Sequence, residues 1–401
     1  MNKGKLIFIR LSSVLVLAAS FFLLSSCNKK QEKVVKIGLL HSTTGSMAIS
    51  EEIVLQAELL AVKELNAVGG VLGHKIEVIQ ENGESNPAVF AEKARKLIEE
   101  DKVATIFGCW TSDSRKAVKT VVEEHYSLLW YPVQYEGMEA SPNIMYTGAC
   151  PNQQVVPAIN YCAETYGKRM FLIGSDYVFP QIANNIIKAQ LEYLDGDCVG
   201  EVYFPMEENN FHTIIKQIKE INPDIIINTL NGESNVYFFN QLYEAGISAD
   251  DIPVMSFSIA ENEVNHIGVE KLEGHLVSWN YYETTDTNKN HRFVDTFKNE
   301  YGTEEKVDDP AEAGYIAVIL WAAACEKAGS FDVEAVRIAA KGLSYIAPEG
   351  LVTIEGSNQH LNKIVRIGKV FPNGQIYEIW STKSTVRPDP YLSTYDWARG
   401  L

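Results

Sequence analysis

The sequence predicts an α/β protein of two lobes, each a mostly parallel sheet flanked by helices, with a ligand site in the cleft between them. Short β-branched apolar runs alternate with segments in which apolar residues recur every three or four positions, which is typical of strand–helix units. The alternation restarts at residue 169 and continues for a similar length. A chain of 401 residues is long enough for about two domains.

The first part of the chain predicts strands at 34–40, 74–82, 103–108 and 127–133, and helices at 50–69, 86–101 and 114–125. The first helix ends at Gly69 and Gly70, and the second has Pro87 near its start, as helix termini commonly do. The segment at 74–82 alternates polar and apolar residues as a half-buried strand does.

The second part predicts strands at 169–175, 198–205, 224–230, 252–258 and 275–281, and helices at 180–196, 211–222 and 233–246. Two long helical patterns, at 290–302 and 310–329, are expected to return to the first lobe, and the tail from Gly350 alternates as short strands. We therefore expect lobe I to contain 34–150 plus 284–345, and lobe II to contain 151–283 plus 346–401.

The N-terminus predicts an export signal over residues 1–26. Three basic residues and no acid precede an apolar run of 14 residues, which is shorter than the roughly 20 that a membrane span needs. Cys27 follows two small residues, an ending that resembles the bacterial lipobox, and residues 27–33 form a polar tether. The prediction is an exported protein that Cys27 anchors by lipid to a bacterial membrane. The alternative is an ordinary signal peptide with a chance cysteine.

Charge and motifs exclude several classes of protein. The formal net charge of −17 argues against nucleic acid as a partner. The sequence has no GxSxG turn, phosphate-binding loop or HExxH motif, and its histidines have no metal-like spacing. Cys109 is a conceivable nucleophile, but nothing in the sequence supplies its base. We predict no enzymatic activity, no cofactor and no metal site, and we expect most of the five cysteines after Cys27 to be buried free thiols.

Polar and aromatic side chains concentrate where predicted strands end. For any one of them, a helix cap, a satisfied turn or a core aromatic is the more common explanation. Five such turns at corresponding ends of two lobes instead favour a binding site. The turns contain Ser42 to Ser46; Trp110, Thr111 and Ser112; Trp130, Tyr131, Gln134 and Tyr135; Ser175, Asp176, Tyr177 and Phe179; and Ser258 and Glu261.

The chemistry of these side chains suits a small, planar, amide-like ligand. Aromatic faces cover a flat molecule, hydroxyls beside helix N-termini can donate to its oxygen, and the Glu261 carboxylate can accept from its N–H groups. A phosphate or sulfate would require a cluster of basic residues. Arg115 and Lys116 are the nearest candidates, and we expect the direction of the helix to turn them outward.

Several motifs resemble the substrate-binding lipoproteins of urea ABC transporters, within the type I periplasmic binding proteins. That wider group also includes binders of short-chain amides and of branched-chain amino acids. The similarity covers nearly all of the mature chain. Its motifs are HSTTGSMAISE, FGCWTSDSRKAV, YPVQYEGMEASPNIMYTGACPNQQ, GSDYVFP, SFSIAENE, DDPAEAGYIAVILWA and RPDPY.

The resemblance implies two lobes, joined by three chain crossings, that close over a ligand and deliver it to an ABC permease. It carries over four ligand contacts, Trp110, Ser112, Tyr131 and Tyr177, and places Val133, Gln134, Phe179 and Ser258 at equivalent turns. Some relatives have a tyrosine in place of Trp110. The ligand could be urea, a short amide or an amino acid. A cytoplasmic amide sensor shares the fold, but the export signal argues against it.

Overall fold

The structure, a computed structural model, describes residues 33–401. The predicted signal peptide, Cys27 and all but the last residue of the predicted tether lie outside the described residues. Two mostly parallel sheets flanked by helices form the two lobes, which confirms the predicted fold class.

The first lobe contains a five-stranded sheet. Its strands are β1 (Val34–His41), β2 (Lys75–Asn82), β3 (Ile106–Gly108), β4 (Leu129–Tyr131) and β5 (Ile144–Tyr146), connected in part by helices α1 (Ala48–Ala67), α2 (Pro87–Glu99) and α3 (Ser112–Glu124). The strand order is β2-β1-β3-β4-β5, with parallel pairing from β1 through β5. Because consecutive strands are parallel, the turns after them meet at one edge of the sheet.

The chain then builds most of a second sheet. Its elements are α4 (Val155–Thr165), β6 (Arg169–Ser175), α5 (Val178–Tyr193), β7 (Asp197–Phe204), α6 (His212–Ile221), β8 (Ile225–Thr229), α7 (Ser234–Glu244), β9 (Val254–Ser256), α8 (Glu261–Ile267), α9 (Val269–Leu272) and β10 (Leu276–Trp279). The five strands pair in parallel in the order β10-β9-β8-β6-β7. The central strand β8, with the sequence IIINT, is buried at every position, as expected of a strand covered on both faces.

The chain next returns to the first lobe through α10 (Asn288–Tyr301), α11 (Asp309–Ala328) and α12 (Val333–Ala340). A small antiparallel sheet follows, formed by β11 (Ser344–Ala347), β12 (Gly350–Ile354) and β13 (Leu361–Asn362). Its apolar residues Ala347, Val352 and Ile354 belong to the core of the first lobe.

Only then does the chain reach the second sheet, where β14 (Arg366–Val370) and β15 (Ile376–Ser381) extend it beyond β10 by antiparallel pairing. The expectation that lobe II resumes at residue 346 is therefore wrong for residues 346–362. The physical reason is that short alternating strands show which face is apolar, but not which sheet core will bury that face.

Helix α11 anchors the core of the first lobe. It is buried along most of its length and packs against α1. A Cβ at Gly314 would lie 2.9 Å from Val54 Cγ1, so glycine allows the two helices to approach closely. Asp308 caps the helix by accepting from Ala311 N–H at 3.0 Å, and Gly329 ends it in the left-handed conformation at φ 65°.

Within residues 33–401, all five cysteines are free thiols, which confirms the expectation for this part of the chain; Cys109, Cys150, Cys162 and Cys325 are buried. Over the same residues, no helix combines the length and the apolar character that crossing a membrane requires. No cluster of three or more histidine, cysteine or acidic side chains in this range could hold a metal ion.

Candidate functional site

The turn after β3 begins with two residues at positive φ, Gly108 at 137° and Cys109 at 65°. A Cβ at Gly108 would lie 2.0 Å from Leu40 O, so only glycine allows this approach to β1. Cys109 carries a side chain in the left-handed region, which is uncommon and strained. The two residues redirect the chain, so that Trp110 packs into the core of the first lobe and Thr111 becomes the N-cap of α3.

The Cys109 thiol is a poor nucleophile in this setting. It is fully buried, and burial, followed by the negative charge of Glu51, raises its pKa well above the usual value. A buried thiol in apolar surroundings stays protonated and unreactive.

Ser112, at the first position of α3, lies in a network of buried charges. Its Oγ donates to Glu136 Oε2 and accepts from Arg115 Nη1 at 2.9 Å. Arg115 also donates to Glu136 Oε1 at 2.9 Å and to Glu139 Oε1 at 3.0 Å. The guanidinium is fully buried, so the expectation that Arg115 points outward is wrong. Lys116, whose side chain is 40% exposed, lies closer to that expectation.

The charges in this network stabilise one another. Burial alone would raise the pKa of Glu139, but Arg115, Lys116 and Lys119 hold it down to about 2. Arg115 also lies over the rings of Tyr131 and Tyr135, 5.2 and 4.6 Å from their centroids, in cation–π geometry. The network therefore fixes the position of the Ser112 hydroxyl within the fold.

Tyr131 is the last residue of β4, and Gln134 lies in the loop that follows. The Tyr131 hydroxyl donates to Trp110 O at 2.6 Å, which joins the turns after β3 and β4. Gln134 Nε2 donates to Phe257 O of the second lobe at 2.8 Å, whereas Gln134 Oε1 is buried and has no partner within residues 33–401. Gly148 allows the loop to pack, because a Cβ there would lie 2.1 Å from the carbonyl carbon of Val133.

The second lobe contributes Tyr177, Phe179 and Ser258. Tyr177 is the N-cap residue of α5, and its ring centroid lies 6.3 Å from that of Phe179, which packs in the core of that lobe. Burial raises the pKa of Tyr177 well above the usual value, with further increases from Tyr131 and Glu136 across the cleft. Ser258 follows β9 and is 3% exposed, and its Oγ has no hydrogen-bond partner among the described residues.

Glu261 lies apart from these side chains. Its Oε1 accepts from Glu283 N–H at 2.7 Å, and its Oε2 is buried with no partner in the described part of the chain. Burial raises the pKa of Glu261 well above the usual range, and the charges of Asp308 and Glu283 raise it further. Within residues 33–401, no hydrogen bond joins Glu261 to the turn of Trp110. The structure therefore groups Glu261 with the acids where the chain crosses between lobes.

A cleft of about 290 Å³ opens where turns of the two lobes meet. Its walls come from the turns after β1, β2 and β3 on one side and after β6 and β7 on the other, and they include Ser46, Ser85, Thr111, Asp113, Tyr177 and Met206. Tyr177 lines this opening, whereas Trp110, Ser112, Tyr131, Gln134, Phe179 and Ser258 are buried residues outside its lining. The volume is at the small end of the roughly 300–1,000 Å³ of ligand pockets.

Direct contacts join the lobes beside this cleft. Ser50 Oγ, on α1, donates to Glu263 Oε1, on α8, at 2.6 Å, and both side chains are buried. Asn262 Nδ2 donates to Ile49 O at the same place. Together with the bond from Gln134 to Phe257, these contacts join the two lobes directly.

The sequence reasoning missed Glu136 and the burial of Arg115. One signal was available, because Arg115 shares the apolar face of α3 with Val118 and Val122, at intervals of three and seven residues. The acids at 136 and 139 were then the natural partners for a buried guanidinium. Nothing comparable in the sequence indicated that Met206 lines the cleft, because this position depends on how the second lobe packs against the first.

Comparisons with known proteins place this fold among binding proteins. A family profile described as periplasmic binding protein domain matches residues 35–396. The Leu/Ile/Val-binding protein homolog 6 of Brucella melitensis is 21% identical over 349 residues, which are 84% of this chain and 87% of that protein.

Two solved structures have the same fold. A solute-binding protein of an ABC transporter from Rhodopseudomonas palustris, in complex with 3,4-dihydroxybenzoic acid, aligns with a TM-score of 0.81 at 22% identity, covering 89% of this chain and 99% of that one. A leucine-binding protein from Thermotoga maritima aligns with a TM-score of 0.75 at 21% identity, covering 87% and 98%. At these identities the likeness concerns the fold and leaves the ligand open.

Proposed function

Since the chain belongs to the periplasmic binding protein family, we propose that it is the substrate-binding component of an ABC importer and that it binds urea between its two lobes. The lobes close on the ligand, and the closed protein delivers it to the permease. The exported protein is held at the membrane by lipid on Cys27. If a Cys27→Ala variant still fractionated with membranes, the proposal of a lipid anchor at Cys27 would be wrong.

One observation supports a small polar ligand above the others. In the part of the chain that the structure describes, Gln134 Oε1 and Ser258 Oγ are buried and have no partner, although buried polar atoms are almost always hydrogen-bonded. The bond from Gln134 Nε2 to Phe257 O brings these side chains from the two lobes to one place. A ligand with both N–H groups and a carbonyl oxygen can satisfy an amide oxygen and a hydroxyl together.

The aromatic side chains nearby favour a flat and small molecule. Trp110, Tyr131 and Tyr177 come from turns of both lobes, and all three are buried. Urea is planar and presents four N–H hydrogens and one carbonyl oxygen, so it needs several acceptors and at least one donor. A short-chain amide has the same polarity with fewer N–H groups, and it remains the nearest alternative.

The names of the relatives favour a second candidate, a branched-chain amino acid. An amino acid requires partners for a carboxylate and for an ammonium group, as well as space for its side chain. We place it second because the network around Ser112 pairs its acidic and basic side chains with one another.

Thermal unfolding of the purified protein tests the proposal. A ligand that binds only the folded state stabilises it by about 2.7 kcal/mol at a hundredfold excess over Kd. Millimolar urea should therefore raise the Tm, while equal concentrations of leucine or benzoate should not. The urea concentration stays far below the molar range in which urea denatures proteins. If leucine or benzoate raised the Tm and urea did not, urea binding would be wrong.

A further inference from the structure

We infer that lobe I presents hydrogen-bond acceptors to the ligand, and that Glu136 makes Ser112 one of them by accepting the hydrogen bond of its hydroxyl. The site would then select neutral ligands that donate N–H groups and reject carboxylates of the same size. This inference rests on the proposed function and deepens it, because it identifies what separates an amide from an acid at this site.

The polarity of Ser112 follows from its two partners. Arg115 Nη1, 2.9 Å from Ser112 Oγ, can only donate, so it occupies one lone pair of the hydroxyl oxygen. Glu136 Oε2 contacts the same oxygen, and an ionised carboxylate can only accept. The hydroxyl proton therefore points to Glu136. A single lone pair remains on Ser112 Oγ, and it can accept from a ligand.

The acceptor role of Glu136 follows from its pairing with Arg115. Arg115 and Glu136 are both fully buried, and Arg115 Nη2 lies 2.9 Å from Glu136 Oε1. A guanidinium does not lose its proton in proteins, so the cation needs an anionic partner when it is removed from water. The fork of Arg115 thus bridges the carboxylate and the hydroxyl, and it fixes the direction of the proton between them.

Tyr131 and Gln134, like Ser112, each leave an acceptor oxygen for the ligand. The Tyr131 hydroxyl donates to Trp110 O at 2.6 Å, which leaves its oxygen available only as an acceptor. Gln134 Nε2 donates to Phe257 O at 2.8 Å, and this contact with a carbonyl fixes the orientation of the amide. Gln134 Oε1 is left as a buried acceptor with no partner within residues 33–401.

The second lobe supplies the complementary group. Ser258 Oγ is buried and has no partner among the residues that the structure describes, so its hydroxyl can donate to a carbonyl oxygen. Urea or an amide can direct N–H groups towards Ser112, Tyr131 and Gln134 and its carbonyl oxygen towards Ser258. A carboxylate would instead place lone pairs against the lone pairs of lobe I, beside the charge of Glu136. Its binding would leave these buried acceptors unpaired.

Two variants distinguish the effect of redirecting the Ser112 hydroxyl proton from the effect of losing a negative charge beside Arg115. Glu136→Gln keeps the side-chain size and can direct an N–H group at Ser112, which frees the hydroxyl proton for the ligand. Glu139→Gln removes the same charge from the same Arg115, but Glu139 has no hydrogen bond to Ser112 among the described residues. Calorimetric titrations at pH 7 compare acetamide with acetate, which have nearly the same shape, and use urea as the reference ligand.

We expect Glu136→Gln to reduce the preference for acetamide over acetate by roughly tenfold or more, the effect of one buried hydrogen bond, while Glu139→Gln leaves it unchanged. Equal changes in the two variants would overturn the role of Glu136 and leave the proposed function standing. If the unmodified protein bound neither urea nor acetamide, the proposed function would fail together with the inference.

A third variant keeps the test decisive if Glu136→Gln does not fold. Ser112→Ala removes the hydroxyl and with it the acceptor, so both the affinity for urea and the preference for acetamide over acetate should fall by roughly tenfold. A folded Ser112→Ala protein with an unchanged preference would overturn the inference.

Discussion

The hydrogen bond between Ser50 and Glu263 joins the two lobes, and we expect closure of the lobes to depend on it; Ser50→Ala removes it. In the closed arrangement the 2.6 Å bond is buried, and Ala260 N–H at 3.0 Å is the other donor to the Glu263 carboxylate. The variant leaves one carboxylate oxygen buried without its donor, whereas in an open arrangement water can replace the lost partner. The penalty therefore falls mainly on the closed state.

The size of the effect follows from the burial of both groups. A buried acceptor that loses its partner costs about 1–3 kcal/mol. If ligand binding requires closure, the same free energy appears in the affinity as a weakening of roughly 5- to 150-fold. Calorimetric titration with urea measures the affinity, and unfolding in guanidinium chloride measures stability without adding the proposed ligand.

A matched control exists within the first lobe. Ser141 Oγ donates to Glu123 Oε1 at 2.7 Å, so Ser141→Ala also removes a serine–carboxylate bond, but one that does not join the lobes. We expect Ser141→Ala to lower stability and leave the affinity unchanged. If Ser50→Ala bound urea as well as the unmodified protein, or if both variants lost the same affinity, the reasoning about closure would be refuted.

Three further predictions concern buried titratable groups, each measured as the free energy of unfolding in guanidinium chloride. Burial alone would lower the pKa of His41, but Glu58 and Glu51 raise it to about 10. The contribution of His41 to folding stability is therefore complete below pH 6.5 and is lost as the pH rises towards 10. The free energy of unfolding should fall by about 1.4 kcal/mol per pH unit between pH 6.5 and 8.5, and His41→Gln should flatten this slope. Burial lowers the pKa of His275 to about 4, so stability should fall as the pH drops from 6.5 to 4, and an equal fall in His275→Gln would contradict this origin. Lys363 Nζ lies 2.8 Å from the buried Glu349, so Lys363→Met should lower the stability by about 3–5 kcal/mol. Lys188→Met breaks a partly exposed pair and should lower it by less than about 1 kcal/mol. Equal losses would show that burial does not control the effect.

The alternation of strands and helices was predictable because it depends on local periodicity. The strand at 169–175 has the predicted bounds, and the helix predicted at 310–329 begins and ends one residue earlier in the structure. Shorter or less periodic elements escaped prediction, including α4, α12 and the three-residue strand β5. The position of β11–β13 was misjudged because pairing between short strands depends on contacts distant in sequence.

The turn that contains Trp110 and Ser112 was predictable for a similar reason, since a buried strand, a glycine and a capping residue are adjacent in the sequence. The partners that define its chemistry were not adjacent. Glu136 lies 24 residues from Ser112, and Phe257 lies 123 residues from Gln134. The position of Arg115 on the apolar helix face indicated its burial, but only the fold shows which carboxylate accepts the hydrogen bond from the Ser112 hydroxyl.

These distant partners also explain why residue types alone underdetermine the ligand. Serine, tyrosine and glutamine can each donate or accept, so the same three side chains could contact either an amide or a carboxylate. In this protein Glu136, Trp110 O and Phe257 O each accept a hydrogen bond from one of them, which leaves Ser112 Oγ, the Tyr131 hydroxyl oxygen and Gln134 Oε1 as acceptors. Ligand class then depends on the groups behind the contact residues. A binding protein with identical contact residues but different partners behind them would present different polarity to its ligand.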